Sequence, residues 1–106
     1  MRAWALTLLV ACGTQDDPKI TAILDLTGDA TAGADVFART CGQGACHGAD
    51  GSSGTEGVDL AEHVPEHTDY ELVDFMLYGV EEMAPVEVTD QEAADVLAYL
   101  RATFGG

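Results

Sequence analysis

The chain has 106 residues, and four Lys and Arg stand against nineteen Asp and Glu, a formal charge of -15. That length allows one small domain, and a folded part of roughly 80 residues buries too little apolar surface without a disulfide, a metal or a bound cofactor to hold it together. The charge excludes nucleic acid and anionic lipid as electrostatic partners, because both need a basic footprint, and it predicts that any charged partner presents a basic face.

The first twelve residues, MRAWALTLLVAC, carry one early positive charge, an apolar run and then a cysteine. A bilayer span takes about 20 residues, so this shorter run reads as a secretory signal. Its end, LVAC, resembles the lipobox of bacterial lipoproteins, which implies that residues 1–11 are removed and Cys12 receives lipid. The mature chain would then keep three basic residues against nineteen acidic ones. It would sit outside the cytoplasm, on the periplasmic side, tethered to a bacterial membrane through acyl chains.

Residues 12–28 read as anchor and linker. GTQDDPKI is polar and contains Pro18, and ITAILDL, from Ile20 to Leu26, is expected as an extended segment laid against the domain. The domain proper is expected over residues 29–106.

Three helical patterns follow. In DATAGADVFART, Asp29 or Thr31 can serve as N-cap, and Val36, Phe37 and Thr40 share a face. TDYE from Thr68 and TDQE from Thr89 both fit the Thr-x-x-Glu capping box, in which side chain and backbone at the helix start satisfy each other. The second helix is expected to stop at Gly79. The third carries Ala93, Val96, Leu97, Leu100 and Phe104 on one stripe and is expected to end at Gly105. GADGSSGTEGVDL has no periodicity and reads as loop. With no strand pattern of useful length, the fold class is all-α.

The chemistry lies in TCGQGACHGADG, where four residues separate Cys41 from Cys46 and His47 follows directly. Adjacent Cys and His suit haem attachment, in which thiols add to the porphyrin vinyl groups and the histidine nitrogen reaches iron. The usual spacing is two residues. The extra two add roughly 7 Å of contour, and Gly42 and Gly44 allow that length to bulge away from the ring. On the motif alone, a Cys41–Cys46 disulfide, a zinc site drawing on His63 or His67, and two buried thiols stay open. Pro65 counts against an aligned His63–His67 helical pair.

The wider pattern resembles the small monohaem c-type cytochromes with a three-helix cytochrome c fold, over Gly33 to Phe104. Gly33 and Phe37 resemble that family's first-helix signature, and CHGADGSSG from Cys46 its Cys-His-Gly-x-Asp-Gly run. Leu60 falls where the family often has a haem-packing leucine. YGVEEMAP from Tyr78 resembles the segment that gives the second axial ligand, and DVLAYLR from Asp95 the last helix.

The resemblance implies one covalently attached haem c, held by Cys41 and Cys46, with His47 and Met83 as iron ligands. It also implies that Gly33 and Phe37 on the first helix meet Val96 and Tyr99 on the last. Met76 is the rival ligand but sits in an apolar helical stripe and reads as core. His63 and His67 would give a bis-histidine iron, yet their polar surroundings read as solvated. Asp59 stands where the family often has a proline whose carbonyl orients the proximal histidine. Single attachment through Cys46 is the alternative that the long Cys41–Cys46 gap leaves.

Both axial positions filled implies an electron-transfer protein with no catalysis, exchanging single electrons with redox proteins that carry a basic docking face. The rival classes are a haem protein with a labile distal ligand, acting as small-ligand sensor or on peroxide, and a lipid-anchored disulfide or zinc module without haem.

Overall fold

The computed structural model describes residues 17–42, 47–48, 50–52, 54, 59–81 and 83–105. Cys12, Cys46 and the signal reading for residues 1–11 lie outside the described residues.

A helix, α1 (Pro18–Leu24), forms where the sequence reading expected an extended segment. The stretch is too short to show helical periodicity, but its start signals are present: the Asp17 side chain accepts the Lys19 N–H, and Pro18 occupies the first helical position. Ile20 and Ile23, three apart on one face, are almost wholly buried. This apolar pair fixes α1 on the domain.

The three expected helices are all present. In α2 (Ala30–Arg39) Asp29, not Thr31, is the N-cap, accepting from the N–H groups of Thr31 and Ala32. A four-residue helix, α3 (Leu60–His63), then passes into a 3-10 turn at Val64–Glu66 that contains Pro65. So short an element shows no periodicity in the sequence, and Pro65 ends its α-helical bonding as expected. Both α4 (Asp69–Tyr78) and α5 (Asp90–Phe104) begin with complete capping boxes, at Thr68 with Glu71 and at Thr89 with Glu92. Gly79 and Gly105 cap their ends with positive φ. Among the described residues the only extended pairing is an isolated bridge between Val80 and Met83, so the architecture is all-α.

The core gathers Phe37 and Val36 from α2, Leu60, Val64, Leu72, Val73 and Met76 from the middle of the chain, and Ala93, Val96 and Leu100 from α5. Its tightest contact is the crossing of α2 over α5. A side-chain carbon at Gly33 would overlap the Asp95 carbonyl, and one at Gly28 the Ala94 carbonyl. Phe37 and Tyr99 meet at this crossing with ring centroids 5.1 Å apart. The expected partner Tyr99 is therefore confirmed, while the backbone facing Gly33 is that of Asp95.

Asp95 itself is buried and closes the crossing, accepting from the Asp29 N–H at 2.9 Å and from Gln91 Nε2 at 2.9 Å. Arg101 fastens the other side. Its guanidinium donates to Asp69 Oδ1 (2.7 Å), the Val64 carbonyl (2.8 Å) and the His67 carbonyl (2.6 Å), drawing the turn after α3 onto α5.

Candidate functional site

The motif begins where α2 stops. Thr40 is the C-cap, and its hydroxyl donates to the Val36 carbonyl at 2.6 Å. Cys41 follows at once and is buried, 8 % exposed. Gly42 turns back onto the helix, its N–H donating to the Phe37 carbonyl at 2.7 Å, and a side-chain carbon there would press on the Phe37 ring.

His47 is buried to the same degree, 8 % exposed, and its N–H donates to the Cys41 carbonyl at 3.0 Å. That bond sets the two ends of the long Cys41–His47 segment side by side, whatever length lies between them. The His47 carbonyl accepts the Gly54 N–H at 3.1 Å, so the backbone of this residue is held on both sides. Gly48 and Gly51 both have positive φ, which brings the chain around after the histidine, and the Gly51 carbonyl then accepts the Leu60 N–H. Leu60 is buried as the first residue of α3. Asp59 is the N-cap of α3, accepting from the Ala61 N–H, and it also accepts the Ser52 hydroxyl at 2.7 Å. The acidic side chain in place of a proline thus has a local structural role.

Met83 lies in the turn after α4, half-buried. Val80 and Met83 exchange backbone hydrogen bonds at 3.1 and 2.8 Å, and the Val86 N–H donates to the Met76 carbonyl at 2.7 Å. Met76 is buried in the core, as its stripe predicted. The two methionines are thus separated by environment, one packed among aliphatic residues and one presented on a loop.

His63 and His67 stack with centroids 6.1 Å apart, and His67 Nδ1 lies 3.2 Å from Glu71 Oε1 while the ring meets the edge of Phe75. Both are half-buried rather than solvated, contrary to the sequence expectation, because Arg101 and Phe75 pull this turn inward. The Glu71 carboxyl is held below its usual range, first by the Thr68 N–H and then by His67.

Among the described residues no three His, Cys, Asp or Glu side chains gather around one point. A haem needs no such cluster, since the porphyrin itself supplies four of the iron's ligands. The donor set fits that group. A buried imidazole is tied by its backbone to a buried thiol, and a thioether stands on a separate loop.

The family model described as cytochrome c oxidase, cbb3-type, subunit III matches residues 28–100. The matched stretch takes in Gly33, Cys41, Cys46, His47 and Met83. No curated protein and no solved structure matches the chain. A match of this extent makes the protein a c-type cytochrome, a class whose haem c is covalently bound. With the all-helical fold and the Cys41–His47 geometry, the chain belongs to the cbb3-type cytochrome c oxidase subunit III family of cytochrome c domains.

Proposed function

We propose that this protein is a one-electron carrier holding a single haem c, attached through Cys46 and Cys41, with His47 and Met83 as the two axial ligands. The observation that carries the reading is the buried His47, joined by a backbone hydrogen bond to the buried Cys41. Bound there, a haem supplies a one-electron ferric/ferrous couple. His47, whose backbone is fixed on two flanks, would hold the iron from one side, and Met83 on a separate turn would hold it from the other, which would leave neither position open to substrate. Sulfur ligation by Met83 favours the ferrous state relative to a second imidazole, which predicts a higher potential than bis-histidine ligation would give.

The electrostatics support a basic partner. Lys19 pairs with Asp90, Arg39 with Glu92 and Arg101 with Asp69, so every cation among the described residues is already engaged by a carboxylate. What remains for docking is acidic, and association should slow as salt rises. The family's description names an oxidase subunit, and a larger redox protein of that kind is the partner we propose, meeting this chain on the outer side of a bacterial membrane with Cys12 as lipid anchor.

The test is the visible spectrum of matured protein. A reduced α-band and pyridine haemochrome of two-thioether haem, an oxidised far-red sulfur-to-iron band and no CO binding by the ferrous form at neutral pH are expected. A red-shifted haemochrome would leave Cys41 unattached. CO binding without denaturant would replace the carrier with a ligand sensor or a peroxide-reactive protein. Colourless protein from a host with haem-attachment machinery would return the cysteines to a disulfide or zinc.

A further inference from the structure

The segment that opens α1 is bonded to the last residue of α4, next to the methionine turn, although it precedes the family-matched residues 28–100. The Asp17 carboxylate accepts the Lys19 N–H through Oδ1 at 2.8 Å and the Tyr78 hydroxyl through Oδ2 at 2.9 Å. The Asp17 N–H donates to the Tyr70 hydroxyl at 2.9 Å. Tyr70 lies in the first turn of α4 and Tyr78 is its last residue, so one point on the chain is fastened towards both ends of that helix. With Ile20 and Ile23 buried beneath it, α1 cannot drift away from these contacts.

From Tyr78 the connection to Met83 has little slack. Gly79 is pressed against the Met83 carbonyl so closely that a side-chain carbon would overlap it, and the same carbon would meet Pro85 at 3.2 Å. Val80 and Met83 are tied by reciprocal backbone bonds, and Val86 returns to Met76 on α4. These bonds tie the Met83 backbone, and so the point from which its side chain departs, to the end of α4 that Asp17 holds. The charge states agree. The Lys19 N–H and then the Tyr78 hydroxyl keep the Asp17 carboxyl below its usual range, while Asp17 raises the Tyr78 phenol, so carboxylate and hydroxyl coexist at neutral pH.

We propose that Asp17 is a positioning residue for Met83: by holding Tyr78 it fixes the turn from which the methionine sulfur reaches the iron. This rests on the reading of Met83 as a ligand.

The experiment uses oxidised, matured holoprotein titrated with imidazole, which competes with the methionine, while the far-red sulfur-to-iron band is followed. Tyr78→Phe, Asp17→Asn and the double variant are compared with the parent. Tyr78 is 53 % exposed, so phenylalanine leaves no cavity, and asparagine still caps α1. Tyr78→Phe is expected to raise imidazole affinity about two- to tenfold, the share of one hydrogen bond, and Asp17→Asn, whose amide can still donate to the Tyr78 hydroxyl, to raise it less. The double change should do no more than Tyr78→Phe alone, because phenylalanine has no hydroxyl for the side chain at position 17 to hold. A band that is present in all proteins with imidazole affinity unchanged overturns the positioning role and leaves Met83 a ligand. Absence of the band in the parent overturns both readings.

Discussion

Gly33 on α2 lies directly against the backbone of Asp95 on α5, so that a methyl group in place of its hydrogen would overlap the Asp95 carbonyl and crowd Tyr99. At an exposed helical position Gly→Ala stabilises by about 1 kcal/mol. Here the overlap dominates, and Gly33→Ala should cost about 1–3 kcal/mol or more. For a domain of this size that lowers Tm by at least about 5 °C. The measurement is thermal unfolding of matured protein by far-UV circular dichroism; an unchanged or raised Tm would mean that α2 and α5 cross less closely.

Asp95 offers an independent test of the same crossing. Its carboxylate accepts from the Asp29 N–H and from Gln91 Nε2 in a buried position. Asp95→Ala leaves the Asp29 N–H without that acceptor, and a loss of about 1–3 kcal/mol is expected in chemical denaturation. Asp95→Asn keeps an acceptor oxygen and should lose less. Equal losses from the two changes would show that the hydrogen bonds do not matter.

The two capping boxes predict the acid limb of stability. The Thr68 N–H, then His67, depress the Glu71 carboxyl, and the Thr89 N–H, with help from Arg39, depresses that of Glu92. A carboxyl that is lowered in the folded state contributes stability above its ordinary pKa, and this is lost as pH falls through the folded value. Tm should therefore hold above the ordinary glutamate range, about 4.3, and fall as pH drops below it. Glu92→Gln keeps the box, since glutamine can return to the N-cap N–H, and should flatten part of that fall. A Tm profile with the same acid slope in parent and variant would contradict the assignment.

Ligand identity separates the two methionines. Met83→Leu should abolish the far-red band of oxidised protein and open the ferrous form to CO. Met76→Leu, a swap of similar volume in the core, should keep the band and cost less than about 1.5 kcal/mol. The reverse pattern in the two spectra would transfer the ligand to the core methionine.

Much of this arrangement is legible in the chain because it depends on neighbours in sequence. Thr68 with Glu71 and Thr89 with Glu92 declare their helix starts within four residues, and both boxes form as read. Family resemblance pairs Gly33 with Tyr99, and the two do meet, while the apolar neighbours of Met76 in sequence place it in the core, where it lies. The misses involve long sequence separations. Pro18–Leu24 is too short for periodicity, and its helix is held by Ile20 and Ile23 in a core built from later residues. The Asp17–Tyr78 bond joins residues 61 apart, and Asp95 reaches back to Asp29. Asp59 reads in sequence only as a departure from the family pattern, because the element it N-caps is only four residues long.

Helix α1 also fixes a length. Read as linker, residues 12–28 would have let the domain swing far from any attachment point. With α1 docked on the core, only the stretch from Cys12 to Asp17 separates the proposed anchor from a fixed point on the domain, and five peptide units span at most about 17 Å. The undocked stretch would reach about three times as far. An anchored molecule would therefore travel with its Asp17–Tyr78 side towards the bilayer, and would meet successive partners by gliding in the membrane plane, not by sweeping through the space above it.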